Sequence, residues 1–296
     1  MQSMKLLASG CLIASLLACT TVSSAKQEVN VQTAKVERLV SLAPNLTEAI
    51  FALGAGDLMV GRSNYCVYPS EAIAVDRVGR LDAPKIERIL AMRPDRVLVT
   101  NLTPLDVITR MQNLGLEVIR LRAERLEDIT TTYRELGVLL SRETEAAALI
   151  GKVEAAMEAA LAVDVSALGR RPKACLIYGF EAPYYSAGKG TFPSELLAQA
   201  GFENLADRAP LAWPQLNLEW LVQQNPDCLF IAINEATLSM ESQLAQMRAS
   251  QVWSQINAVS KGRVYFITGD ALSVPGLRAL NALKVFSKAR AVIEIP

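Results

Sequence analysis

The chain repeats itself, weakly but in order. Residues 86–99, IERILAMRPDRVLV, can be laid without gaps on residues 218–231, LEWLVQQNPDCLFI. Each copy reads as a short amphipathic helix, a Pro-Asp turn and a buried apolar strand. Upstream, TEAIFALGAG (47–56) matches SELLAQAGFE (194–203). Both open with Thr47 or Ser194 as the expected helix N-cap, continue with a glutamate and end at a glycine. Downstream, LGLEVIRL and KGRVYFIT are strands that start from a glycine-containing turn. Two copies of one order of elements predict two lobes of one architecture.

Between the copies lies SRETEAAALIGKVEAAMEAALAVDV, residues 141–165, with Leu149, Val153, Met157 and Leu161 at spacings of four. Such spacing marks one face of a helix. Over about 22 residues that helix is roughly 33 Å long, suited to a rod joining two lobes. Apolar strands alternate with helices on both sides of it, which predicts mostly parallel sheets covered on both faces. The expected fold is α/β: two Rossmann-like lobes, 36–140 and 166–296, joined by one long interdomain helix, 141–165. A chain of 296 residues that is 51% hydrophobic can fill two such cores.

The first residues are of another kind. Lys5 precedes the apolar run LLASGCLIASLLA, and Cys19 directly follows a small residue. That is the pattern of a lipoprotein signal peptide, 1–18, with Cys19 lipidated and 19–35 a polar tether. The expectation is an exported body at the periplasmic or extracytoplasmic face, held to the membrane by its lipid alone. Cys66, Cys175 and Cys228 remain. Cys175 and Cys228 sit in strand-like runs and read as small buried hydrophobes; a bridge between them would need the two strands to be neighbours.

Thirty basic and thirty acidic residues cancel without long runs of either sign, which argues against nucleic acid and polybasic membrane contacts. The chain has no histidine, so Cys66 lacks the usual activating base and zinc its commonest ligand. GKGTF (188–192) lacks the spacing of a phosphate loop. No catalytic residue, catalytic cofactor or metal site is therefore expected. In parallel sheets, ligands bind beyond the carboxyl ends of the strands. Those ends read SLAPN (41–45), SNYCVYP (63–69), TNLTP (100–104), GFEAPYYSAGKG (179–190) and INEATL (233–238), with RAPLAWPQ (208–215) before the second repeated helix. Aromatic rings on loops can cover a large flat ligand while a few polar groups orient it.

The run RLVSLAPNLTEAIFALGAGDLMVGRSNYCVYP, followed by IERILAMRPDRVLV, PYYSAGKGTFPSELLAQAGFEN and LAWPQLNLEWLVQQNPDCLFIA, resembles the ABC-importer substrate-binding proteins for corrinoids, iron-siderophores and haem. The resemblance spans nearly all of the chain from Val36 onward. The Pro-Asp strand starts carry the broad family; SNYCVYP and AWPQ point to its vitamin B12-binding branch. The resemblance implies that Tyr65, Tyr185 and Trp213 lie against the ligand and that Asn45 makes a backbone contact. Two pocket positions that are tryptophan in the best-known member fall near Leu81 and Thr100 here, with Asn101 beside them. Glu87 and Glu219, at the same place in the two copies, match glutamates that dock on permease arginines. Tyr68, before Pro69, is expected to cap the core under its loop, and Cys66 to pack behind Tyr65.

The implied function is capture of a corrinoid between the lobes by a monomer and its delivery to an ABC permease and ATPase complex. The alternatives are a ferric siderophore or haem as ligand, or an exported enzyme acting on such a ligand. The lack of histidine weighs against haem, although tyrosine also ligates haem iron.

Overall fold

A computed structural model of the chain describes residues 35–161, 170–233 and 240–293. The expected signal peptide, Cys19, nearly all of the tether and most of INEATL lie outside the described residues. The first lobe runs β1 (Leu39–Ser41), α1 (Pro44–Ala52), β2 (Met59–Arg62), α2 (Ile86–Ala91), β3 (Arg96–Val99), α3 (Leu105–Asn113), β4 (Val118–Arg120) and α4 (Asp128–Leu140). Its strands form an all-parallel sheet in the order β2-β1-β3-β4. Helix α5 (Glu143–Leu161) leads to the second lobe.

The second lobe contains β5 (Lys173–Tyr178), β6 (Tyr184–Tyr185), α6 (Phe192–Gln199), β7 (Glu203–Asn204), β8 (Gln215–Leu216) and α7 (Leu218–Gln224). It continues with β9 (Cys228–Ile233), α8 (Met240–Ala249), α9 (Asn257–Ser260), β10 (Val264–Thr268), α10 (Gly269–Ser273) and α11 (Ala279–Ala291). Strands β7, β5, β9 and β10 lie side by side and parallel, the order of the first sheet repeated. The antiparallel strands β6 and β8 are added at the far end of the β5 edge. Among the described residues no helix is long and apolar enough to cross a membrane.

The duplication extends to single hydrogen bonds. Past α1, Gly54 (φ +70) donates to Phe51 C=O and Ala55 donates to Ile50 C=O; past α6, Gly201 (φ +80) donates to Ala198 and Phe202 to Leu197. Only a residue free of Cβ strain adopts that left-handed backbone easily, so the repeated glycine stops both helices alike. The Pro-Asp motif also has one job in both lobes. Asp95 Oδ2 accepts the N–H groups of Glu37 and Arg38 at 2.8 and 2.9 Å, fastening the start of β1 to that of β3. Asp227 Oδ2 accepts Lys173 N–H at 2.8 Å and Arg170 Nη1 at 2.7 Å, fastening β5 to β9. The residue before each proline, Arg93 or Asn225, takes φ +47.

Two sequence expectations change. Thr47 and Ser194 are not caps: α1 begins at Pro44 after Ala43, and α6 is capped by Thr191, whose side chain accepts from Ser194 N–H. A proline fits the first helical turn, where its missing N–H is no loss, and so starts each helix earlier. The stripe on α5 also drifts. Leu149, Val153 and Ala160 are buried, while Leu161 is 61% exposed. A spacing of four overshoots one turn by about 40° each time, so three such steps carry Leu161 off the packed face. Helix α5 lies along α4 and touches α6 and α11. Its approach to α4 needs Gly137, where a Cβ would stand 2.6 Å from the Ala146 methyl.

Each lobe has its own apolar core. Val40, Ile86, Ile89, Val97 and Val99 centre the first, and Ile177, Leu221, Leu229 and Ile231 the second. Each such side chain, fully buried, contributes about 1.5–3 kcal/mol. Cys175 and Cys228 lie on neighbouring strands, but the register pairs Ala174 with Cys228 and Cys175 with Leu229. The two thiols therefore point to opposite faces of the sheet and remain free. Burial pushes both pKa values up to about 12.

Candidate functional site

A cavity of about 550 Å³ is lined by both lobes. The first lobe supplies Pro44 and Asn45 from the start of α1, Tyr65 and Leu81 from the β2–α2 connection, and Thr100, Asn101 and Leu102 after β3. The second supplies the start of α6, Trp213 from the β7–α7 connection, and residues 272–275 before α11. Six of the seven expected ligand positions therefore meet in one space. Tyr185 does not. It pairs across the sheet with Tyr178, is 51% exposed and lies outside the cavity lining. Its alternation with Tyr184, which packs edge-on to Trp253 in the core, turns it to the other face.

Tyr65 and Trp213 occupy matching connections of the two lobes and are half-exposed, at 44% and 53%. Trp213 rests against Tyr178, ring centroids 6.0 Å apart. Tyr65 sits in a loop braced from below by Arg62, a fully buried side chain without a carboxylate partner among the described residues. Arg62 donates instead to the carbonyls of Val75, Ser63 and Ile73 at 3.0, 3.2 and 3.2 Å. Behind the ring Cys66 is fully buried, its Sγ 3.2 Å from Ser63 Oγ, as expected of a packing residue. Burial raises the thiol pKa by disfavouring the thiolate. Above the ring, Arg80 stands 6.0 Å from the Tyr65 centroid and pairs with Asp82 at 2.9 and 2.7 Å.

The polar groups of the lining fall into two kinds. Thr100 is only 2% exposed, and its Oγ1 accepts Leu102 N–H at 3.4 Å within the turn. That bond lies within the turn that carries Leu102, which is 62% exposed. Asn45 and Asn101 differ, because Asn45 Nδ2 and Asn101 Oδ1 are buried without a hydrogen-bond partner among the described residues. A buried carboxamide atom left unpaired is costly.

Leu102, Phe192, Pro193, Val274 and Pro275 complete an apolar wall that the sequence analysis passed over. Pro193 lies in the first turn of α6, as Pro44 does in that of α1. Tyr68 stays out of this cavity. Its ring takes the Arg278 guanidinium at 4.5 Å on the other side of α1, and at 48% exposure it is no core cap. Glu87 and Glu219 are exposed in the first turns of α2 and α7. No cluster of three or more His, Cys, Asp or Glu side chains suited to a metal occurs among the described residues.

Residues 39–271 match the family described as periplasmic binding protein. A vitamin B12-binding protein of Pectobacterium carotovorum is 25% identical over 284 residues, covering 85% of this chain and 96% of its own length. Among solved structures, the periplasmic vitamin B12-binding protein BtuF of Vibrio cholerae superposes with a TM-score of 0.73 at 23% identity, covering 87% of this chain and 97% of that one. A periplasmic haem-binding protein of Pseudomonas aeruginosa does so with a TM-score of 0.72 at 24% identity, covering 86% and 93%. At these identities the two structures establish a shared fold.

Proposed function

The chain belongs to the periplasmic binding protein family, and from that premise we propose that it captures a corrinoid between its lobes and hands it to an ABC permease. One observation carries the reading: a two-lobed cavity with exposed rings from matching connections, Tyr65 and Trp213, and the carboxamide residues Asn45 and Asn101 in its lining. A corrinoid offers apolar ring faces to the aromatics and a rim of amide side chains that can both donate and accept. The vitamin B12-binding relative supports this choice. Exposed Glu87 and Glu219, one on each lobe, would meet paired cationic groups of the permease. Lipidation at Cys19 would keep the protein beside it.

Titration with cyanocobalamin, followed by tryptophan quenching and by recovery of the ligand after binding, tests the reading. Stoichiometric retention of unchanged ligand is expected. Chemical conversion would point to an enzyme instead, and failure to quench would remove the corrinoid. Haem is the second reading, favoured by the Tyr65 phenol beside Arg80 and by the haem-binding structural neighbour. It predicts a ferric-tyrosinate absorption band with haemin that disappears in Tyr65→Phe.

A further inference from the structure

The repeated glutamates Glu48 and Glu195 occupy the same place in α1 and α6, and neither lines the ligand cavity. Each reaches across to the other lobe. Glu48 accepts from Arg278, before α11, through Nε at 3.0 Å and through a second contact from Nη2 to Oε1. Arg278 also donates from Nη1 to Asp270 at 2.7 Å. In the opposite sense, Glu195 Oε2 accepts Leu126 N–H at 2.9 Å, and its Oε1 lies 3.0 Å from Arg125 Nε. Arg125 and Leu126 precede α4, which follows the last strand of its sheet much as α11 follows β10 and the short α10. The exchange therefore obeys the symmetry of the duplication: the glutamate of each lobe holds the arginine of the other.

These contacts join cavity walls. Helix α1 carries Asn45 and the Arg278 segment carries Val274 and Pro275; helix α6 carries Phe192 and the Arg125 segment carries Glu124. We propose that Glu48–Arg278 and Glu195–Arg125–Leu126 are reciprocal clasps that position the two walls and set the rate at which ligand leaves the cleft. The role in release rests on the corrinoid reading above.

The clasps are unequal. Side-chain exposure is 5% and 17% for Glu48 and Arg278, but 22% and 61% for Glu195 and Arg125. Breaking a buried pair strands a charge, whereas an exposed pair opens with little penalty. Opening therefore pivots on Glu48 and releases Glu195 first.

The test uses the full chain with Glu195→Ala, Glu195→Arg, Arg125→Glu and the double reversal. Without ligand, exchange of the Leu126 amide should accelerate roughly tenfold or more in Glu195→Ala. Cyanocobalamin dissociation, followed by displacement, should quicken by about three- to tenfold in each single variant, with association unchanged. The double reversal should bring dissociation back to within about twofold of the unaltered chain. A merely structural role would not yield that rescue. Dissociation in Glu195→Ala that matches the unaltered chain, or a double reversal no slower than its parents, overturns the proposal. If the unaltered chain binds no cyanocobalamin, the corrinoid reading falls. The clasps are then judged by Leu126, whose unchanged exchange in Glu195→Ala would overturn them.

Discussion

The two lobes share one sheet order and differ in what they hang on it. In the first, β1 is flanked by β2 and β3 along its length. In the second, the corresponding edge of β5 is divided: β7 pairs with Lys173 and Ala174, and β6 pairs with Tyr178. The β6–β8 addition carries the chain toward Trp213, while the first lobe reaches Tyr65 through a loop braced by Arg62. Repeated residues thus build the scaffold, and the exposed rings Tyr65 and Trp213 stand where the copies diverge. A duplicated fold gains an asymmetric site in this way without changing its sheet.

The largest expected effect concerns a feature the lobes share. Replacing Glu87 and Glu219 together by alanine should abolish permease-dependent uptake and leave ligand affinity nearly unchanged. Normal uptake by the double variant, measured with radiolabelled cyanocobalamin in cells, would place docking elsewhere. The single variants would show whether one lobe dominates.

Asp227 and Asp95 compare the lobes in stability. Asp227 is 13% exposed and carries a guanidinium bond as well as a backbone N–H, so Asp227→Ala should destabilise by about 2–3 kcal/mol. Asp95→Ala, which leaves two N–H groups nearer solvent, should lose about 1–2 kcal/mol. Urea unfolding measures both, and equal losses would mean that the guanidinium adds nothing. In the cleft, Trp213→Ala should weaken cyanocobalamin binding by roughly ten- to thirtyfold and Tyr65→Ala by about tenfold. Calorimetry checks the ranking, and an effect confined to one lobe would break the two-walled site.

The smallest effects are in pH dependence. The Glu37 and Arg38 N–H groups hold the Asp95 carboxyl below its ordinary value. Burial raises that of Asp227, but the Arg170 and Lys173 bonds outweigh it and the net shift is downward. Both aspartates therefore contribute stability above the ordinary carboxylate range, and it is lost as pH falls through their folded values. Asp227→Asn should flatten the acid limb of the melting-temperature profile. Burial raises Glu48 despite Arg278, so its contribution has the opposite sign and is lost as pH rises. Glu48→Gln should accordingly steepen the same limb.

The repeat was legible because helix stops, Pro-Asp turns and apolar strands are local. Gly54 and Gly201 each follow a helix end in the left-handed backbone, and the helices and strands of 86–99 and 218–231 start at matching positions. Loop chemistry was legible in kind, since Asn45, Tyr65, Leu81, Thr100, Asn101 and Trp213 do converge. Tyr185 is exposed as a loop ring should be, yet its pairing with Tyr178 in the β6 addition keeps it out of the cavity lining, and that addition has no counterpart in the first lobe from which the sequence could show it. The helix starts were misplaced because Pro44 and Pro193 outrank the Thr-Glu and Ser-Glu signals beside them.

By itself the sequence determined two α/β lobes, the long helix after the first, and a site of aromatic and amide groups without a histidine. Only the tertiary structure decided that Cys175 and Cys228 face apart, that Asn45 and Asn101 line the same cavity as Trp213, and that Glu48 and Glu195 each serve the opposite lobe. The reason is distance along the chain. Turns and helix ends are set by neighbours within a few residues, whereas Glu48 and Arg278 are 230 residues apart and meet only after both sheets have packed.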